Sequence, residues 1–128
     1  MLERDITAKV LQTAKQNLLR SAAIEIKLCK GESLPFAALA DHQKEALLHS
    51  KHQRLVWKIA DGGYAPTPFD AFLLAKSEAW VAVVFYKERL YKTLFLIDID
   101  EWVKESTGKR KSLTKDRAQW ISSFQFEI

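Results

Sequence analysis

The 128-residue sequence predicts a single α/β or α+β domain, one central sheet with helices packed on it, and three observations carry that prediction. Near the start, apolar residues recur at helical spacing. Five short apolar runs of strand length follow, separated by turn residues or by amphipathic stretches. No repeat, low-complexity tract or linker divides the chain.

Ile6, Val10, Leu11, Ala14 and Leu18, with Lys9, Gln12, Lys15 and Gln16 between them, predict an amphipathic helix over 4–19, with Asp5 or Thr7 as its cap. Ala22 to Leu28 is a strand, ended by Lys30-Gly31-Glu32-Ser33. Ser33 and Pro35 then mark the entry to a helix on which Leu39, Gln43 and Leu47 stand one turn apart. Arg54 to Ala60 is a second strand, and the glycines and prolines of 61–68 forbid regular structure. Phe69 to Ala75 and Ala79 to Tyr86 have the spacing of a hairpin, Leu94 to Ile99 is a fifth strand, and a basic loop over Gly108 to Lys111 precedes a short helix over 113–121.

With 48% hydrophobic and 28% charged residues the chain buries a core rather than staying disordered. Cys29 is the lone cysteine, which rules out an intrachain disulfide and a Cys-rich zinc site and suits a reducing compartment. No secretory leader pattern opens the sequence and no apolar run approaches the ~18 residues of a membrane span, so a cytoplasmic location without membrane association is expected. The formal charge is +4, and the stretch from Lys104 to Arg117 carries six bases (Lys104, Lys109, Arg110, Lys111, Lys115, Arg117) against Glu105 and Asp116. That cluster is either a solubilising loop or a phosphate contact.

Alternation along the first strand sets Ala23, Glu25, Lys27 and Cys29 on one face and Ala22, Ile24, Ile26 and Leu28 on the other. Glu25 and Lys27 then stand about 7 Å apart along the strand. A carboxylate able to hold a divalent cation beside an ammonium able to offset charge on phosphorus meets the demands of phosphodiester hydrolysis. The plain alternative is a wet strand face. Gln43 adds a polar amide on a leucine stripe, which either finds a hydrogen bond inside or points into a cleft.

The run AIEIK, then SLPF, then HQKEALL resembles motifs of the PD-(D/E)xK nuclease superfamily, most closely the RecU-type Holliday junction resolvases. There an ExK strand is followed by a short loop, a His-Gln pair and a leucine-rich helix. LVWKI, LFLI and Lys111-Ser112-Leu113 fit later parts of that pattern. The resemblance implies a restriction-endonuclease-like domain, a mixed sheet flanked by helices, and a Mg²⁺- or Mn²⁺-dependent endonuclease acting as a homodimer on branched DNA. It implies Glu25 as the metal-binding carboxylate, Lys27 as the catalytic lysine, Gln43 as the supporting amide and Glu3 as an auxiliary glutamate. Arg20, Lys30, Lys109, Arg110, Lys111 and Lys115 would hold DNA phosphates.

One departure stands out. The family supplies a second metal-binding aspartate from a strand paired in a hairpin just before ExK, whereas only a helix precedes Ala22. Asp70, after Pro68-Phe69, is the expected replacement, with Asp61 before Gly62-Gly63 the weaker one. Asp98 and Asp100 form the most conspicuous acidic pair, and favour a helix start over a metal site. His42, His49 and His52 lack the pattern of a zinc site, and Trp57, Trp80, Trp102 and Trp120 read as packing residues. Two further function classes stand beside the nuclease: a nuclease-like fold that binds nucleic acid without cutting it, and a small partner-binding domain whose Glu25 and Lys27 are merely solvated.

Overall fold

The computed structural model describes residues 3–18, 21–53, 55–58, 71–74 and 77–128. Helix α1 (Glu3–Asn17) leads into strand β1 (Ala22–Lys30) and the short β2 (Ser33–Pro35). A 3-10 turn (Phe36–Ala38) precedes α2 (Asp41–His52), followed by β3 (Leu55–Lys58), β4 (Ala71–Leu74), β5 (Glu78–Lys87) and β6 (Tyr91–Asp98). The chain continues through α3 (Ile99–Ser106), β7 (Ser112–Thr114), α4 (Lys115–Ile121) and β8 (Phe124–Glu127).

The central sheet runs β1-β5-β6-β8. β1 and β5 are parallel, and the β5-β6 and β6-β8 pairs are antiparallel, so the sheet is mixed, as expected. Parallel neighbours cannot be joined by a tight turn, and α2 lies in the crossover between β1 and β5. β5 and β6, apolar almost throughout, are the buried middle of the sheet. On one face Ile6 and Val10 of α1 pack with Ala82, Val84, Leu94 and Leu96, and Ile24, Ile26 and Leu28 adjoin them. On the other face Leu47 of α2, Trp102 of α3 and Ala118 of α4 pack with Val81, Val83, Phe95 and Ile97. The result is an α/β domain with helices on both faces. No described helix is long and apolar enough to cross a membrane.

The hairpin expected between 69–75 and 79–86 is not formed. β4 pairs antiparallel with β3 in a separate two-stranded sheet, and the partners of β5 are β1 and β6. The apolar run of β5, with side chains buried on both faces, needs the interior of the larger sheet, which periodicity alone does not reveal. Leu11, counted on the apolar face of α1, is half exposed, while Ile6, Val10 and Ala14 are buried. The helix with Gln43 begins at Asp41 rather than near Pro35, because β2 pairs with β7 and a 3-10 turn follows. Ser112–Thr114 accordingly form a strand, and the last helix starts at Lys115.

Gly31 turns the chain out of β1 at φ +124°, a conformation closed to most side chains, and its N–H donates to Tyr86 O at 3.0 Å. At the far end of α2, buried Ser50 lies 3.1 Å from the Ser77 hydroxyl, and Ser77 N–H donates to Ser50 O at 3.0 Å. This contact fixes the end of the helix to the start of β5.

Candidate functional site

Glu25 and Lys27 share the β1 face covered by α2. That face is not a wet one: Ala23 and Cys29 on the same side join the core beneath Leu39 and Leu47. The Lys27 side chain is only 18% exposed and that of Glu25 34%. Covering an ammonium to this degree costs free energy unless partners replace the lost water. Gln43 and Glu25 are those partners.

Lys27 Nζ donates to Gln43 Oε1 at 2.9 Å, and Gln43 Nε2 donates to Glu25 Oε1 at 2.9 Å. Lys27 Nζ also lies 3.5 Å from Glu25 Oε1. Gln43 Oε1 takes a second bond, from the backbone N–H of Ala40 at 3.0 Å. Ala40 is the N-cap of α2, and its side chain has no acceptor, so only the glutamine half of a capping box exists. These contacts fix the amide orientation. A flipped Gln43 would aim its NH₂ at two donors, Lys27 Nζ and Ala40 N–H, and its oxygen at a carboxylate oxygen. One side chain thus satisfies the helix start and joins the acid to the base.

The link from β1 to this helix start is braced from the other end of the sequence. β2 pairs antiparallel with β7, matching Leu34 with Leu113, and Phe36 N–H donates to Lys111 O at 3.0 Å. Phe36 also meets Trp102 edge to face, with centroids 5.2 Å apart. The basic segment therefore runs beside the connection that carries Gln43.

Within that segment, Lys109 and Arg110 line a groove with Lys104, Glu105, Gly108 and Arg117. Arg117 makes a forked pair with Glu105, its Nε and Nη2 donating at 3.1 and 2.6 Å. Lys111 is exposed, Lys115 Nζ sits 3.4 Å from the centre of the Tyr91 ring, and Lys30 forms a loose exposed pair with Glu88 at 3.8 Å. The two aspartates of LIDIDEW serve a helix start. Asp98 caps α3, accepting from Asp100 N–H at 2.8 Å. Lys51 of α2 bonds both carboxylates of this pair and His52 bonds Asp100, a link between helices that the sequence did not announce.

The structure brings together Glu25, Lys27 and Gln43. Asp70, Asp61 and Arg20 lie outside the described residues, and of Glu3 only its backbone, opening α1, is described. His42, His49 and His52 are exposed. Burial, partly offset by a backbone hydrogen bond at Ser33, pushes the Cys29 thiol up, which withholds the thiolate that nucleophilic chemistry requires. Both Glu25 contacts fall on Oε1, so among the described residues Oε2 accepts no hydrogen bond. A partly exposed carboxylate oxygen of this kind suits Mg²⁺, which takes one or two carboxylates and completes its shell with water and phosphate. No group of three His, Cys, Asp or Glu side chains able to hold a metal is found among the described residues.

Of the four tryptophans read as packing residues, Trp80 and Trp102 are buried, and the side chain of Trp57 lies outside the described residues. Trp120 departs from the expectation, with 82% of its surface exposed. Comparison with protein-family models, with curated proteins and with solved structures gives no match.

Proposed function

We propose that this chain is a divalent-metal-dependent DNA endonuclease of the PD-(D/E)xK type, acting on branched DNA in the cytoplasm as a homodimer. The observation that carries this reading is the triad itself: an acid and a base two residues apart on β1, locked by one helix-borne amide. In this reading Glu25 and Asp70 would hold Mg²⁺ or Mn²⁺, with Glu3 as auxiliary. A bound ion would supply Lewis-acid polarisation of the phosphodiester and a more acidic water.

The chain's own residues do the rest. Lys27 has three N–H donors: one goes to Gln43 and another faces Glu25, which leaves one for a phosphate oxygen. Gln43 holds the ammonium in place, so little reorganisation is needed as charge grows on phosphorus. Lys109, Arg110 and Lys111, the last bonded to the turn that precedes α2, supply phosphate contacts together with Lys30, Lys115 and Arg20. Incubation of the purified protein with branched and linear DNA in Mg²⁺ or Mn²⁺ tests this reading. Metal-dependent cleavage lost in Glu25→Ala supports it, and intact substrate throughout, with the variant no different from wild type, overturns it.

A second reading is a protein of the same fold that binds nucleic acid without cutting. It is favoured by the closed bonding of the triad, in which the Gln43 amide already bonds both Lys27 and Glu25 Oε1. Calorimetric titration with Mg²⁺ and Mn²⁺ separates the two. Binding of the ion, lost in Glu25→Ala, favours the enzyme, and DNA affinity that survives Glu25→Ala without ion binding favours the second reading.

A further inference from the structure

Tryptophan is among the most buried residue types on average, and an exposed one sacrifices a large apolar surface to water. Trp120 is nevertheless 82% exposed. Its helix is anchored without it: Ala118 is buried in the core and Ile121 packs against the same cluster. Three residues earlier, one helical turn away on the same side of α4, stands Arg117. Arg117 lines the groove of about 350 Å³ shared with Lys104, Glu105, Gly108, Lys109 and Arg110. Four bases against one acid leave this groove with an excess of three positive charges.

From this juxtaposition we propose that Trp120 is a stacking platform for an unpaired base, and that the adjoining basic groove holds the phosphates of the same strand. The inference rests on the nucleic-acid reading above and narrows it to substrates with single-stranded character. The charge of the groove selects a polyanion and disfavours a second copy of this chain, whose identical groove would meet it with like charge in any symmetric pairing about Trp120. The ring selects unpaired bases, because a base within a duplex already stacks on both neighbours and offers no free face. Arg117 and Trp120 are separated by a rise of about 4.5 Å along the helix, so the ring leaves α4 one turn from a residue that lines the groove.

The test is equilibrium binding in EDTA, which keeps substrate intact, with three fluorescein-labelled probes: an oligothymidine, a blunt duplex and a forked duplex with unpaired arms. Trp120→Ala is expected to weaken the oligothymidine and the fork by about ten- to a hundredfold, the span of one lost base stack. The blunt duplex should change little, and Trp120→Phe should keep most of the affinity. Because the side chain is exposed, the melting temperature of Trp120→Ala should match wild type, which separates lost contact from lost fold. Wild-type affinity of Trp120→Ala for oligothymidine, with duplex binding intact, overturns the stacking proposal and leaves the nucleic-acid reading standing. Failure of the wild-type protein to bind any probe at low salt overturns both. A dimer in sedimentation that Trp120→Ala abolishes would place a second copy on the ring and overturn the proposal as well.

Discussion

Gln43 stands 2.9 Å from Lys27 through its amide oxygen, and the same amide's nitrogen reaches Glu25 at 2.9 Å. Gln43 thus sits between two charges that the strand alone leaves without a helix contact. Truncation to alanine removes the acceptor from a largely covered ammonium and the cap from Ala40 N–H. Gln43→Ala is expected to lower stability by about 2 kcal/mol, the middle of the range for an orphaned partly buried polar group. Urea unfolding measures it. A double-mutant cycle with Lys27→Met isolates the pair, and a coupling energy of zero would show that the 2.9 Å contact contributes nothing.

The link between α2 and α3 sets the acid limb of stability. The Asp100 carboxyl is held below its usual range, first by the bond from Lys51 and next by that from His52, with burial opposing. Glu105 is held down by Arg117, again against burial. A carboxylate with a depressed folded pKa contributes stability that is complete above its unfolded value, about 4, and is lost as pH falls through the lower folded value. Lys51 behaves in the opposite sense. Burial alone would lower its pKa, but the bonds and fields of Asp100 and Asp98 outweigh it, and the net shift is upward. Its contribution is present below the unfolded value, about 10.4, and is lost as pH rises through the higher folded one. Stability should therefore be flat near neutrality and fall below about pH 4. Asp100→Asn should flatten that acid limb. At neutral pH it should cost less than about 1 kcal/mol, since the carboxylate is nearly half exposed and screened. Urea midpoints at neutral and acid pH check this, and an acid limb as steep in the variant as in wild type would remove Asp100 from the account.

How much of this was legible in the sequence follows from where each signal resides. Helical periodicity placed α1, although Leu11 shows that a matching residue can fall outside the buried stripe. Alternation put Glu25 and Lys27 on one face, and the leucine stripe singled out Gln43, because both patterns are local. Strand pairing is not local. Nothing in the spacing of 69–75 and 79–86 distinguishes a hairpin from two strands that find different partners, β3 for one and β1 with β6 for the other. The three-residue ladder of β2 with β7 joins segments almost 80 positions apart and left no periodic trace, while β8 alternates Phe124-Gln125-Phe126-Glu127, a signal only four residues long on an edge where Phe124 is exposed. The bonds from Lys51 to Asp98 and Asp100 are likewise a product of how α2 and α3 meet. Legible in part was the aspartate pair itself, as a helix start, because capping depends only on neighbours.

Phe36 and Trp102 join the connection preceding α2 to α3. Trp102 is almost fully buried, and the rings meet edge to face at 79° with centroids 5.2 Å apart. Trp102→Ala should cost about 3–5 kcal/mol, as expected for emptying so large a site. A cycle of Phe36→Leu with Trp102→Leu should return a coupling of about 0.5–1.5 kcal/mol, the part due to ring geometry rather than area. Thermal or urea unfolding of the four proteins measures both. If the coupling vanishes while the single variants remain costly, the pair matters through volume alone.

The basic segment offers the most direct check on an anionic partner, since the contribution of a phosphate contact is written in its salt dependence. Each phosphate neutralised on duplex DNA adds about 0.9 to the slope of log affinity against log salt, from release of condensed counterions. Lys109 and Arg110 line the groove, and neither takes part in a salt bridge among the described residues, whereas Arg117 is held by Glu105 and Lys115 lies over Tyr91. The Lys109→Ala, Arg110→Ala double variant should therefore lose affinity on every sequence alike and flatten the slope by about 1.8. Arg117→Ala should lose stability as well, because it strands Glu105, whose side chain is 15% exposed. Fluorescence anisotropy over a salt series reads the slopes. An unchanged slope in the double variant would place the phosphates elsewhere on the molecule, and a lower melting temperature in that variant would show the two bases to be structural.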